Sequence, residues 1–215
     1  MCGLSGIYHL DGRPIEPGIL AAMNSLIRHR GPDDEGYVLI HTSSGKINSH
    51  AGSDSVAEIK SLYSLLPERT ESNLGIGFRR LSIIDTSSKG HQPMYDPGYK
   101  FVLSFNGEIY NYREIREELK ALGHVFATES DSEVLLQAYI QWDITCLDRF
   151  IGMFAFVIYD DIKKRLFAAR DRLGIKPFLY FFDGFRLLWG SEEKKFIKSK
   201  AIAATLHEES MIHFL

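Results

Sequence analysis

Apolar residues recur along this chain with two different periods, which divide the sequence into strands and helices. Short runs rich in β-branched and aromatic residues, separated by turn residues, predict eight strands, at 3–10, 36–41, 75–84, 100–106, 152–159, 165–170, 177–182 and 185–190. The pairs Asp160-Asp161 and Asp183-Gly184 lie between consecutive runs and predict hairpins. Most of the predicted structure is therefore antiparallel sheet.

Three segments with helical spacing of their apolar residues predict helices, at 17–29, 112–122 and 131–142. Pro17 suits a first turn, and Asn111 with Glu114 and Ser130 with Glu133 have the spacing of capping boxes. Many antiparallel strands with few helices favour an α+β domain in which helices cover two packed sheets. Residues 42–74, rich in Ser, Asn and Gly, predict a surface insertion in which 56–66 could form a helix.

Composition narrows the class of protein. The 215 residues carry 25 Lys and Arg against 28 Asp and Glu, a net charge of -3, which argues against nucleic acid or an anionic membrane as the main partner. The longest apolar runs fall short of the roughly 18 to 20 residues that span a bilayer. Two cysteines are too few for a disulfide framework or a thiolate metal site, and they favour a reducing, cytoplasmic setting. Cys146, beside a predicted helix, is expected to be a buried apolar residue.

Cys2 follows the initiator methionine directly. Removal of Met1 would leave an α-amine of pKa roughly 7.7 to 8.0 on the residue that also carries a thiol of pKa about 8.5. Nucleophile and base would then belong to one residue. From position alone, the alternative is a small residue that begins a buried strand.

Three further features could serve such a nucleophile. Asn106-Gly107 places a carboxamide beside a glycine N–H, two donors for an oxyanion, although an ordinary Asn-Gly turn is the simpler interpretation. Arg79 and Arg80 interrupt an apolar strand, so that one would point to a site and the other to solvent, unless both form an exposed edge pair. Asp131 begins a helix, where an ionised carboxylate is favoured with or without a ligand. An arginine for a carboxylate and an aspartate for an ammonium would together form an amino-acid site.

Eight segments in order resemble the glutaminase domain of class II glutamine amidotransferases. They are MCG (1–3), RHRGPD (28–33), RLSIID (80–85), GHQPM (90–94), NGEIYN (106–111), SDSE (130–133), GMFAF (152–156) and RDRLGIKP (170–177). The likeness covers residues 2 to about 200, and within the family it favours the branch of glutamine-hydrolysing asparagine synthetases.

The resemblance implies an N-terminal-nucleophile (Ntn) hydrolase fold, a four-layer αββα sandwich of two antiparallel sheets. It also implies an enzyme that hydrolyses glutamine to glutamate and ammonia through a Cys2 thioester, with no metal or organic cofactor. Its oxyanion hole would be Asn106 with the Gly107 N–H. The substrate α-carboxylate would bind Arg80 and the α-ammonium Asp131, with help from Glu108, Leu81 and Ile83. Structural support is the expected role of Arg30, Arg170 and Asp171.

In this family the domain precedes an ATP-dependent synthetase domain, and this sequence has no Ser-Gly-Gly-x-Asp-Ser pyrophosphate loop. We therefore expect residues 1–200 to form the amidotransferase domain and 201–215 to begin a linker to a synthetase domain that uses ATP and Mg²⁺. Glutamine and that domain are the expected partners, and a homodimer stays open. Aspartate is the default ammonia acceptor, and a sugar acid stays open as well. So do a sugar-phosphate or phosphoribosyl amidotransferase and, if Met1 is retained, a non-catalytic amino-acid-binding domain.

Overall fold

The structure, a computed structural model, describes residues 1–82 and 90–203. Within these ranges ten strands form two antiparallel sheets. The six-stranded sheet has the order β3-β2-β4-β1-β10-β9, with β1 (Gly3–His9), β2 (Asp34–His41), β3 (Lys46–Ala51), β4 (Leu74–Arg80), β9 (Leu179–Phe182) and β10 (Arg186–Gly190). The four-stranded sheet has the order β5-β6-β7-β8, with β5 (Met94–Tyr95), β6 (Phe101–Ile109), β7 (Gly152–Asp160) and β8 (Arg165–Arg170).

Helices cover the outer face of each sheet. They are α1 (Pro17–Ser25), α2 (Ala57–Leu62), α3 (Tyr112–Ala121), α4 (Asp131–Trp142) and α5 (Lys194–Lys198), with 3-10 turns at Arg28–Arg30 and Asp143–Arg149. α1 packs on β1 and β4 and contacts α5, whereas α4 packs on β6 and contacts α3. None of the helices in the described ranges is long and apolar enough to cross a bilayer.

Three layers of apolar side chains lie between these elements. Between the two sheets lie Leu4, Val38, Ile40, Leu74, Ile76, Phe78, Val102, Ala155, Val157, Tyr159 and Trp189. Between α1 and the large sheet lie Ile7, Leu20, Met23 and Leu39. Between the small sheet and helices α3 and α4 lie Leu103, Phe105, Ile115, Leu135 and Phe156, among others. Helix, sheet, sheet and helix therefore form four layers, which confirms the predicted αββα sandwich of the α+β class.

The eight predicted strands are all present, but the bounds of two of them differ near the site. The strand predicted at 75–84 ends at Arg80, so Leu81 follows the strand, and residues 83 and 84 lie outside the described ranges. The strand predicted at 100–106 continues to Ile109, because β7 pairs with it as far as Ile109 opposite Gly152. Asn106-Gly107 therefore lies inside a strand, and the interpretation of this pair as a turn is wrong. The short strands β3 and β5 were not predicted from the sequence.

The helix predictions are confirmed in position, with two local corrections. α1 ends at Ser25 rather than at residue 29. Asn111 does not cap α3, because its side chain instead donates to the Arg149 carbonyl and accepts from the Ile151 N–H, each at 2.9 Å. Ser130 does cap α4, since its hydroxyl accepts the Glu133 N–H at 3.2 Å.

Residues 42–74 are more closely integrated than a surface insertion would be. The segment adds β3 to the edge of the large sheet, and α2 occupies part of the helix predicted at 56–66. The N–H of Asp54 donates to Glu35 at 2.7 Å, and the N–H of Val56 donates to Asp34 at 3.0 Å. Buried carboxylates on β2 thus anchor the segment between β3 and α2.

Candidate active site

One end of the sandwich, where β1 begins and β4 ends, carries a pocket of about 180 Å³. Segment 106–108 of β6 and the first turn of α4 form its opposite wall. Six residues predicted for the site line this pocket, namely Cys2, Leu81, Asn106, Gly107, Glu108 and Asp131. These residues come from four separate segments of the chain, and the fold brings them together.

Cys2 precedes β1 and is held from two sides. Its Sγ accepts the Leu81 N–H at 3.4 Å, and its carbonyl accepts Nε–H of Arg30 at 3.0 Å, which gives Arg30 the supporting contact predicted for it. Burial raises the pKa of the thiol, whereas the Leu81 N–H, the N-terminal amine, Arg80 and Lys176 act in the opposite direction. The pocket therefore disfavours the thiolate by desolvation and offsets part of that effect with nearby positive groups.

Asn106 supplies a buried donor to the pocket wall. It is 2% exposed, and its Nδ2 has no hydrogen-bond partner in residues 1–82 and 90–203. A buried amide left unpaired costs about 1 to 3 kcal/mol, so such groups usually have a ligand, a water or a catalytic role. A Cβ at Gly107 would lie 2.4 Å from the Met153 carbonyl oxygen and 2.7 Å from Cα of Phe154, so only glycine fits beside this donor.

Asp131 places a carboxylate on the same wall. It is the first residue of α4, and its Oδ2 accepts the Ile109 N–H at 3.1 Å. Burial raises its pKa to about 6, and the negative charge of Glu108 adds to that shift, although the Ile109 N–H opposes it. A bound ammonium would favour the ionised form of Asp131, since it would place a positive charge beside this carboxylate.

Arg79 and Arg80 point to opposite faces of β4, as the strand period predicts. Arg79 is 1% exposed beneath α1, where it pairs with Glu35 at 3.0 Å and with Asp54 at 2.8 Å. The expectation that one arginine faces solvent is therefore wrong, because α1 covers that face of the sheet. Arg80 lies beside the pocket rather than in its wall, with its guanidinium against Gly90, where an added Cβ would come 2.1 Å from Nη2.

Ile83, the remaining predicted substrate contact, lies outside the described residues, as do residues 204–215 of the predicted linker.

Asp171 and Arg170 organise the loop that follows β8. The Asp171 carboxylate accepts the N–H groups of Ile175 at 2.8 Å and Lys176 at 2.9 Å, and that of Phe154 on β7 at 3.2 Å. Burial alone would raise the pKa of Asp171, but these backbone donors outweigh it and lower the pKa. Nε–H of Arg170 donates to the Lys176 carbonyl at 2.7 Å, so both residues contact this loop, as the supporting role implied by the resemblance requires.

Gln92 and Lys176 are among the residues of the pocket wall that received no role from the sequence. Gln92 accepts the Phe105 N–H at 2.7 Å and donates to the Phe105 carbonyl at 3.2 Å, so its side chain joins the loop before β5 to β6. Lys176 reaches the pocket from the loop after β8. Both lie in segments GHQPM and RDRLGIKP, which marked them as part of the family pattern without showing what they contact.

Comparison with known proteins identifies the family of this chain. The glutamine amidotransferase domain family matches residues 67–215, more than half of the chain. The chain belongs to the glutamine amidotransferase family, an enzyme family, as the resemblance implied.

Among individual relatives, asparagine synthetase [glutamine-hydrolyzing] 1 of Bacillus subtilis is 36% identical over 197 residues, which cover 90% of this chain and 26% of that protein. Asparagine synthetase [glutamine-hydrolyzing] 3 of the same organism is 43% identical over 136 residues, which cover 62% of this chain and 22% of that protein. The chain thus spans about a quarter of the length of these relatives.

Among solved structures, the glutamine phosphoribosylpyrophosphate amidotransferase of B. subtilis, complexed with ADP and GMP, superposes with a TM-score of 0.74 at 24% identity. The match covers 91% of this chain and 43% of that one. At this identity the likeness shows the fold, and it confirms the predicted Ntn-hydrolase architecture.

Proposed function

We propose that this domain hydrolyses the side-chain amide of glutamine to glutamate and ammonia, with Cys2 as the nucleophile. The observation that carries the proposal is that a buried amide donor, Asn106 Nδ2, without a partner among the described residues, lies in the same pocket as the Cys2 thiol. A thiol that faces an unused donor is suited to acyl transfer, because the donor can stabilise the oxyanion that forms when the thiolate attacks a carbonyl.

The reaction begins after removal of Met1, which frees the Cys2 α-amine. That amine, with a pKa of roughly 7.7 to 8.0, takes the thiol proton. Sγ then bonds to the amide carbon, and the carbonyl oxygen becomes an oxyanion that accepts hydrogen bonds from Asn106 Nδ2 and the Gly107 N–H. The bond between the amide carbon and its nitrogen breaks as the Cys2 α-ammonium returns the proton to the amide nitrogen, and ammonia leaves. Water attacks the resulting thioester, which releases glutamate and restores the thiol.

Recognition of the amino-acid end of glutamine uses charges at the edge of the pocket. Asp131 receives the α-ammonium, supported by Glu108, and the bound ammonium offsets the desolvation that raises the Asp131 pKa. Arg80 receives the α-carboxylate in a two-point hydrogen bond. The backbone at Leu81 and Ile83 completes the contact. The hydrolysis uses no metal or organic cofactor.

The ammonia is passed, in this proposal, to a synthetase domain that activates a carboxylate with ATP and Mg²⁺. Support comes from the names of the similar B. subtilis proteins and from their length, since this chain covers only 22% and 26% of them. Aspartate is the acceptor that those names favour.

A glutaminase assay combined with intact-mass analysis tests the proposal. Protein whose mass corresponds to a chain beginning at Cys2 should release ammonia from glutamine, and Cys2→Ala should reduce that release to background. Cys146→Ala is the matched control, because Cys146 is fully buried in another part of the core and burial raises its pKa to about 12. Undiminished ammonia release by Cys2→Ala would refute the role of Cys2.

A further inference from the structure

Lys176 is a largely buried residue whose side chain the proposed reaction does not use. It is 7% exposed, lines the pocket together with Cys2 and Asn106, and makes no side-chain hydrogen bond or ion pair within the described part of the chain. Lysine is almost never buried without a partner, because the charged form is strongly solvated. Its presence in the pocket wall therefore places a positive charge in the same pocket as the thiol that becomes an anion in the proposed reaction.

The loop around Lys176 is fixed without help from the ammonium group. The Lys176 N–H donates to Asp171 at 2.9 Å, and the Lys176 carbonyl accepts Nε–H of Arg170 at 2.7 Å. Asp171 also holds the N–H of Phe154 at 3.2 Å, which ties the loop to β7 beside the Asn106-Gly107 wall. Because these bonds hold the backbone of Lys176, the loop does not need the ammonium group to keep its conformation.

Several charged groups surround the Cys2 thiol. They are the N-terminal amine, Arg30 with its partner Glu192, Arg80, Lys176, Glu108 and Asp131. Asp131 and Glu108 are assigned to the substrate ammonium, and Arg80 lies beside the pocket against Gly90. In the described part of the pocket wall, Lys176 is therefore the positively charged side chain that has no other assigned role and that lines the same pocket as the Cys2 thiol.

We propose that Lys176 is a positioning residue whose ammonium stabilises the Cys2 thiolate inside the buried pocket. The inference rests on the proposed role of Cys2 as nucleophile. Burial disfavours the thiolate, and the positive charge of Lys176 is among the groups that oppose this effect. The fraction of Cys2 that is ionised near neutral pH should then depend on the charge of residue 176 and not on its shape.

The test is the rate at which iodoacetamide alkylates Cys2, measured against pH and located by peptide mass, in chains that begin at Cys2. Lys176→Met removes the charge and keeps the length, so the rate at pH 7 should fall about three- to tenfold and its pH dependence should move to higher pH. Lys176→Arg keeps the charge and should retain a rate close to wild type. Lys198→Met, which changes an exposed lysine of α5, is the matched control and should behave as wild type.

Lys176→Gln, whose side chain is polar and uncharged, serves as a second neutral variant in case the methionine variant does not fold. A wild-type pH dependence in a folded neutral variant, or an equal loss in Lys176→Arg, would overturn the proposal. Alkylation does not require glutamine, so its outcome is independent of the glutaminase assay. A charge-dependent alkylation rate without ammonia release would refute the proposed function alone, whereas ammonia release with a charge-independent rate would refute the role of Lys176 alone.

Discussion

Replacement of Asn106 by leucine should lower the catalytic rate strongly while it changes the free energy of unfolding little. Asn106→Leu keeps the branched shape of the side chain and removes the Nδ2 donor. If this donor stabilises the oxyanion, its loss should lower kcat by about 100- to 1,000-fold, equivalent to about 2.7 to 4 kcal/mol. Because Nδ2 has no partner among the described residues and is buried, the folded state bears a cost of about 1 to 3 kcal/mol for it. The free energy of unfolding should therefore stay within about 1 kcal/mol of wild type or increase.

Ser104 provides a matched control for Asn106. It lies two residues earlier on the same face of β6, is fully buried, and its Oγ also has no partner in the described ranges. It does not line the pocket, so Ser104→Ala should leave ammonia release unchanged and should leave stability unchanged or slightly higher.

The assays for this pair are steady-state ammonia release from glutamine and urea unfolding monitored by circular dichroism. Asn106→Leu with kcat within about tenfold of wild type would show that Nδ2 is not an oxyanion donor. A large loss of stability in Asn106→Leu would show instead that the amide has a structural partner.

Two further predictions concern titration of buried groups. The pKa of Asp131 is raised to about 6 from 3.8, so the folded state holds its proton more tightly, and the free energy of unfolding without ligand should fall by about 3 kcal/mol as pH rises from about 4 to about 6. Asp131→Asn should flatten this slope in urea unfolding and raise KM for glutamine more than it lowers kcat, and an unchanged KM would contradict the ammonium contact. Lys195 is wholly buried, and its Nζ donates to the Leu4 carbonyl and to Ser5. Burial lowers its pKa well below the usual value, so the unfolded state binds the proton more tightly than the folded state. The free energy of unfolding should therefore rise with pH toward about 10.5. Lys195→Met should lose this slope between pH 7 and pH 9, and equal slopes in the two proteins would exclude the titration of Lys195 as its cause.

The sequence predicted correctly the elements that are determined by residues close together in the chain. α4 has its predicted bounds of 131–142 because Ser130 caps it and because apolar residues lie at helical spacing on its buried side. The strand bounds failed where pairing decides them, since β6 passes through Asn106-Gly107 only because β7 pairs with it as far as Gly152. β3, with the sequence KINSHA, has too few apolar residues to be recognised as a strand. It forms at the edge of the sheet through pairing with β2 and a single bridge between Ala51 and Leu65.

The site was predicted through the family resemblance more than through individual residues. Cys2, Asn106 and Asp131 each had a simpler structural interpretation, and only the ordered set of segments favoured function. The position of Lys176 could not be predicted, because its burial depends on the loop that Asp171 holds against β7. Strand alternation placed Arg79 and Arg80 on opposite faces, but which face is covered depends on where α1 packs.

The pocket is the polar end of the core between the two sheets. Every second residue of a strand faces the same side, so the face of β1 that buries Leu4 continues to Cys2 at its start, and the face of β4 that buries Phe78 continues to Arg80. A slip of β6 by one residue against β7 would turn Asn106 away from this face and remove the donor from the pocket. Gly107 opposes such a slip. A Cβ at its position would lie 2.4 Å from the Met153 carbonyl oxygen, so any other residue shifted into this position would have to displace β7. The register that packs the core is therefore also the register that places the Asn106 amide in the same pocket as the Cys2 thiol.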